Sequence, residues 1–108
     1  MYIEKFGYTV EHHTVKGFLK DHPDGDIYTI RFDNGLGASI ICRPFISYGA
    51  NEGLYELGIT DADGDLIYNT PICSNVIGWL NEEEVSSLLK RIECLRRGKR
   101  GWYEEKST

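Results

Sequence analysis

The stretch "LNEEEVSSLLKRIECLRRG" (80–98) constrains the fold more than any other. Val85, Leu88, Leu89, Ile92 and Leu95 recur at helical spacing and make one apolar stripe. Asn81 stands at the N-cap position, where its side-chain oxygen can accept an orphan N–H of the first turn. Glu84, three residues on, can reach back to complete a capping box, and Leu80 with Val85 can form the hydrophobic staple. Glu82, Glu83 and Glu84 suit the positive end of the helix dipole; Lys90, Arg91, Arg96 and Arg97 suit the negative end. Gly98 is a natural stop. These cues predict a helix over 82–97, and its stripe must be covered by another layer.

That layer reads as antiparallel sheet. In "IYTIRFDNGLGASIICR" (27–43), β-branched and aromatic residues flank Asn34-Gly35, which suits a two-residue type I′ turn. On the returning strand Ala38, Ile40 and Cys42 share one face. "LYELGI" (54–59) alternates, and "LIYN" (66–69) is its expected return. Tyr8–Val10 and 15–19 read as short strands interrupted by Gly7 and Gly17. "DHPDGD" (21–26) reads as a turn cluster and 44–53 as a loop. "VIGWL" (76–80) reads as a short strand or turn under the helix. The expected class is α+β: at least four antiparallel strands, mostly within 8–69, with one C-terminal helix packed on one face. A single domain is expected over 1–97, followed by a mobile basic and aromatic tail over 98–108. The other sheet face, with tyrosines and charges, is the expected place for a partner.

Composition narrows the function classes. At 108 residues there is room for one modest core. Mean hydropathy is −0.37, and no apolar run approaches the ~20 residues a membrane span needs. The N-terminal "MYIEKFGYTV" has an acid and no long apolar run, so no signal peptide is expected. A cytoplasmic location follows as an expectation. Cys42, Cys73 and Cys94 show no CxxC spacing and read as buried thiols. His12 and His13 are adjacent, so on a strand they face opposite sides; they and His22 read as solvent-facing imidazoles. Charge is uneven. Residues 1–89 carry 5 Lys/Arg against 14 Asp/Glu, a net of −9, and residues 90–108 carry 7 against 3, a net of +4.

Three groups of residues are candidate sites. In "DADGD" (61–65), glycine precedes the third acid and Ile72 falls where an EF-hand needs glutamate, so the pattern is that of a hairpin tip. No phosphate-binding glycine motif occurs in strand–turn–helix context. No cofactor, metal or catalytic residue is expected. The acids Asp61, Asp63, Asp65, Glu82 and Glu83 could offer a negative surface to a basic groove on another protein. Arg96, Arg97, Lys99 and Arg100 with Trp102 could instead grip phosphates and stack bases. An uncovered sheet edge or the tyrosine-rich face could pair two copies.

Ser47, Tyr48, Gly49, Gly53, Leu54, Tyr55, Glu56, Tyr68, Thr70, Pro71, Val76, Gly78, Leu80 and Glu84 follow a pattern of the type SYG–GLYE–Y-x-TP–V-x-G-x-L before an acidic-capped helix. Over 47–92 the chain resembles small accessory proteins encoded by bacteriophages and prophages. That group has no assigned activity, so the resemblance carries over no catalytic residue. It implies a protein made during infection or lysogeny that binds host machinery. The functional expectation is a non-enzymatic inhibitor or modulator of a host protein, with a nucleic-acid-processing defence complex as one target. The alternative is a nucleic-acid-binding accessory protein that works through the basic end.

Overall fold

The structure is a computed structural model and describes residues 1–16, 24–42, 54–72 and 75–105. The fold is α+β. Strands β1 (Tyr2–Lys5), β2 (Tyr8–Val15), β3 (Gly25–Arg31), β4 (Gly37–Cys42), β5 (Tyr55–Thr60) and β6 (Ile77–Leu80) form one antiparallel sheet in sequential order. Helix α1 (Glu82–Glu93) follows, and β7 (Leu95–Gly98) and β8 (Gly101–Glu104) close the chain as a separate hairpin.

Alternation along each strand sorts the side chains onto two faces. Register aligns Ile30, Ala38 and Ile59 in one row and His12, Tyr28, Ile40, Leu57 and Ile77 in the next. These rows face α1. From the helix come Val85, Leu89 and Ile92, all buried, while Leu88 is half-buried. Burying those three side chains contributes at most ~1.5–3 kcal/mol each before conformational entropy is counted. The opposite rows, such as Tyr2, Glu11, Thr29, Ser39 and Gly58, form the outer face.

The N-terminus of α1 is built as the sequence implies. Asn81 Oδ1 accepts the Glu84 N–H at 2.8 Å, and Glu84 Oε1 accepts the Asn81 N–H at 3.1 Å. The C-terminus is not. The expected helix over 82–97 stops at Glu93. The side-chain amide of Asn34, from the β3–β4 turn, donates to the carbonyls of Ile92 at 2.8 Å and Leu95 at 2.9 Å. Arg96 donates to the carbonyls of Glu93 and Leu95 at 3.1 Å. With the last carbonyls satisfied from outside, the chain leaves the helix and Leu95 enters the core from β7 instead.

Several other elements differ from expectation. Asn34-Gly35 is not a type I′ pair, because only Gly35 has positive φ, at 90°. Phe32 N–H bonds the Leu36 carbonyl, and Gly35 N–H bonds that of Phe32. This is a three-residue loop ending in a left-handed glycine, and it frees Asn34 for the helix end. Asp61–Asp65 repeats the pattern, with Gly64 at φ 88°. Phe6-Gly7 has both φ values positive, 58° and 84°, as a two-residue turn between β1 and β2 requires. β2 runs unbroken to Val15, and β1 is an additional edge strand. The expected return over 66–69 reduces to one bridge, Thr60 to Leu66; β6 pairs with β5 instead. Residues 98–104, expected to be mobile, hold a paired strand, because Trp102 packs against the core and Glu104 meets Arg91. The expectations for residues 17–23, 43–53, Cys73 and 106–108 lie outside the described residues. Among the described residues, no helix is long and apolar enough to cross a membrane.

Candidate functional site

The five acids do not gather in one place. Asp61, Asp63 and Asp65 sit at the tip beyond β5, with carboxylate oxygens within 4.8 Å of one another. Asp61 Oδ1 accepts the N–H groups of Asp63 at 2.9 Å and Asp65 at 3.1 Å, so its first duty is to shape the turn. Glu82 lies by Tyr55, at the other end of β5. Six residues of strand at ~3.3 Å each separate the two acidic groups by roughly 20 Å. Glu82 is also engaged. Its Oε1 accepts from Lys5 Nζ at 2.7 Å and from the Tyr55 hydroxyl at 3.3 Å. The Lys5 hydrogen bond holds the Glu82 carboxyl below the usual range.

The basic end is partly neutralised by its own acids. Arg91 makes a bidentate pair with Glu104 at 2.6 and 3.1 Å, and that contact lowers the Glu104 pKa. Arg96 pairs with Glu105 at 2.7 Å. Arg97 lies opposite Trp102 in the hairpin and places its guanidinium 5.7 Å from the indole centroid. Trp102 rests on the core and does not project as a base-stacking platform. Arg96 and Arg97 fall on opposite faces of the ribbon, since neighbours on a strand alternate. Lys99 and Arg100 form its tip.

Sequence reasoning missed two features. The first is polar. His12 is not a solvent-facing imidazole; it stacks on Tyr28 with centroids 4.7 Å apart and meets Asp26 at 2.8 Å through Nε2. Asp26, expected in a turn, is a β3 residue. Its cross-strand neighbour is Cys42, whose thiol pKa is raised by burial and then by Asp26. His13 points the other way, as adjacency on a strand requires. The alternation of 8, 10, 12 with 26, 28, 30 was the signal that could have placed His12 inward.

The second feature is Trp79, on β6, an edge strand of the sheet among the described residues. Its side chain is 58% exposed and its φ is 62°. Left-handed backbone is uncommon for a bulky side chain and costs about 1–3 kcal/mol where it persists. It also interrupts the regular ladder, and the β5–β6 register shifts between Tyr55 and Leu57. An edge interrupted in this way resists continuous pairing with a second strand. Beside it a groove of about 460 Å³ runs between β6 and α1, lined by Ile77, Leu80, Leu88, Glu83, Glu84 and Arg91. A concavity of about 560 Å³ on the outer face is lined by Tyr2, Thr9, Glu11, Thr29, Arg31 and Ser39, among others. Comparisons with protein-family models, with curated proteins and with solved structures found no match, so the functional reading rests on these side chains.

Proposed function

We propose that the chain is a non-enzymatic protein-binding module of phage type, an inhibitor or modulator of a host protein. The observation that supports this reading best is Trp79. Core packing does not explain an indole that is 58% exposed on strained backbone. Tryptophan presented to solvent next to Leu80, which lines a groove of mixed apolar and charged side chains, has the chemistry of an interface anchor. Strain concentrates where a side chain must be displayed. Glu83 stands at the groove and the Asp61–Asp65 tip lies further off, so the partner surface is basic with an apolar recess.

The test is a tagged pull-down from host cells with two variants. Trp79→Gly keeps the fold, because glycine takes φ near 60° without penalty. It should lose the partner that the parent chain recovers. Asp63→Lys with Asp65→Lys, which spares the Asp61 carboxylate that shapes the turn, should weaken capture and reduce its dependence on salt. Equal recovery by Trp79→Gly overturns the proposal. The nucleic-acid alternative is tested with Lys99→Ala plus Arg100→Ala in a gel shift. Deleting 98–108 would also remove Trp102 from the core and confuse binding with folding.

A further inference from the structure

We propose that Phe6, Tyr28, Tyr55 and Glu82 form a recognition cage for a primary alkylammonium group, occupied in the free chain by Lys5. Three rings surround the Lys5 ammonium. Its Nζ lies 5.3 Å from the Phe6 centroid, 5.5 Å from Tyr28 and 6.0 Å from Tyr55. Phe6 meets the other two rings nearly at right angles, Tyr28 at 88° and Tyr55 at 89°, and Tyr28 crosses Tyr55 at 69°. Ring faces carry negative quadrupole density, so three walls set this way concentrate it on one point. Glu82 closes the fourth side with the 2.7 Å hydrogen bond from Nζ.

The cage is assembled from four separate elements: the β1–β2 turn, β3, β5 and the first turn of α1. Phe6 reaches it only because it accepts a φ of 58° in the turn. That strain is offset by edge contacts with both tyrosines. Glu82, with a 60% exposed side chain, leaves the mouth open to solvent. Lys5 ends a four-residue edge strand and holds the site through a flexible stem. Another ammonium can therefore exchange with it while the backbone stays in place. The carboxylate fixes the class of ligand. A primary ammonium donates to Glu82 as Lys5 does, whereas a quaternary amine fills the rings but donates nothing.

The probe is n-butylammonium, which reproduces the end of a lysine side chain. Lys5→Ala empties the cage. The variant should show saturable shifts of the Phe6 and Tyr55 ring protons in NMR titration, at least tenfold tighter than in the parent chain. Lys5→Ala with Tyr55→Ala should lose them. Potassium chloride at equal ionic strength should produce none. A folded Lys5→Ala chain without saturable shifts, or equal shifts with potassium chloride, overturns the proposal. If Lys5→Ala does not fold, the parent chain decides. Its Lys5 ε-methylene protons should be ring-current shifted upfield and move toward the free-lysine position as n-butylammonium is added; unmoving protons overturn it. A short lysine peptide that competes better than n-butylammonium assigns the cage to protein ligands; weaker competition assigns it to small amines.

Discussion

Gly37 shows how little space single positions leave. A Cβ there would lie 2.5 Å from the Ile30 carbonyl oxygen and 2.8 Å from Thr60 Oγ1. One contact is backbone, so the sheet itself must move to relieve it. Gly37→Ala should cost about 1–3 kcal/mol in urea unfolding. Trp79 is the opposite case. Its indole adds little to the core, and its backbone is strained, so Trp79→Gly should change stability by less than about 1 kcal/mol. The same measurement on the two variants separates a residue kept for packing from one kept for display. His12 belongs with Gly37, because its place is set by Asp26 and Tyr28 on another strand.

At the scale of elements, α1 is held by two asparagines that work differently. Asn81 caps locally, and Asn81→Ala should cost about 1 kcal/mol. Asn34 crosses from the β3–β4 turn, donates to Ile92 and Leu95 carbonyls and accepts the Leu36 N–H at 3.0 Å. Asn34→Ala takes a donor from the Ile92 and Leu95 carbonyls and the acceptor from the Leu36 N–H, and should cost about 2 kcal/mol, more than loss of the N-cap. Thermal unfolding of the two variants checks the order. Tyr8 is a third tie, joining β2 to α1 through its 3.0 Å bond to Glu93. Burial first, and then that hydrogen bond, push its pKa up to about 12. Tyrosine is neutral below its pKa, and the raised value means that folding favours the neutral form. Its contribution is therefore complete below pH 10 and is lost between pH 10 and about 12. Midpoints of unfolding recorded across that range should fall, and Tyr8→Phe should flatten the fall.

For the molecule as a whole, the acidic limb of stability has the opposite sign. Glu82 and Glu104 titrate below the usual carboxylate value because Lys5 and Arg91 bond to them. Their contribution is present above about pH 4.5 and is lost as pH falls through their lowered values. Both pairs are exposed enough for salt to screen them, so added salt should narrow the loss. Much of the architecture was legible from local pattern. The sheet on one side, the capping box and the buried faces of β4 and β5 all follow from periodicity and cap chemistry, which act over a few residues; 76–80 read equally as strand or turn, and pairing with β5 made it a strand. Where the helix ends, how the Asn34 turn closes, which strand pairs with β5 and that the basic end folds back were settled by contacts between distant segments. Asn34 and Trp102 carry no local mark of the partners they meet. The candidate sites divide the same way. The order of residues fixed how much negative charge the body carries; folding alone split those acids along β5, turned Trp79 outward and closed three rings around Lys5. Spacing along a chain governs hydrogen bonds within a turn and alternation within a strand. Convergence in space depends on how layers pack, and that is decided by the whole chain at once.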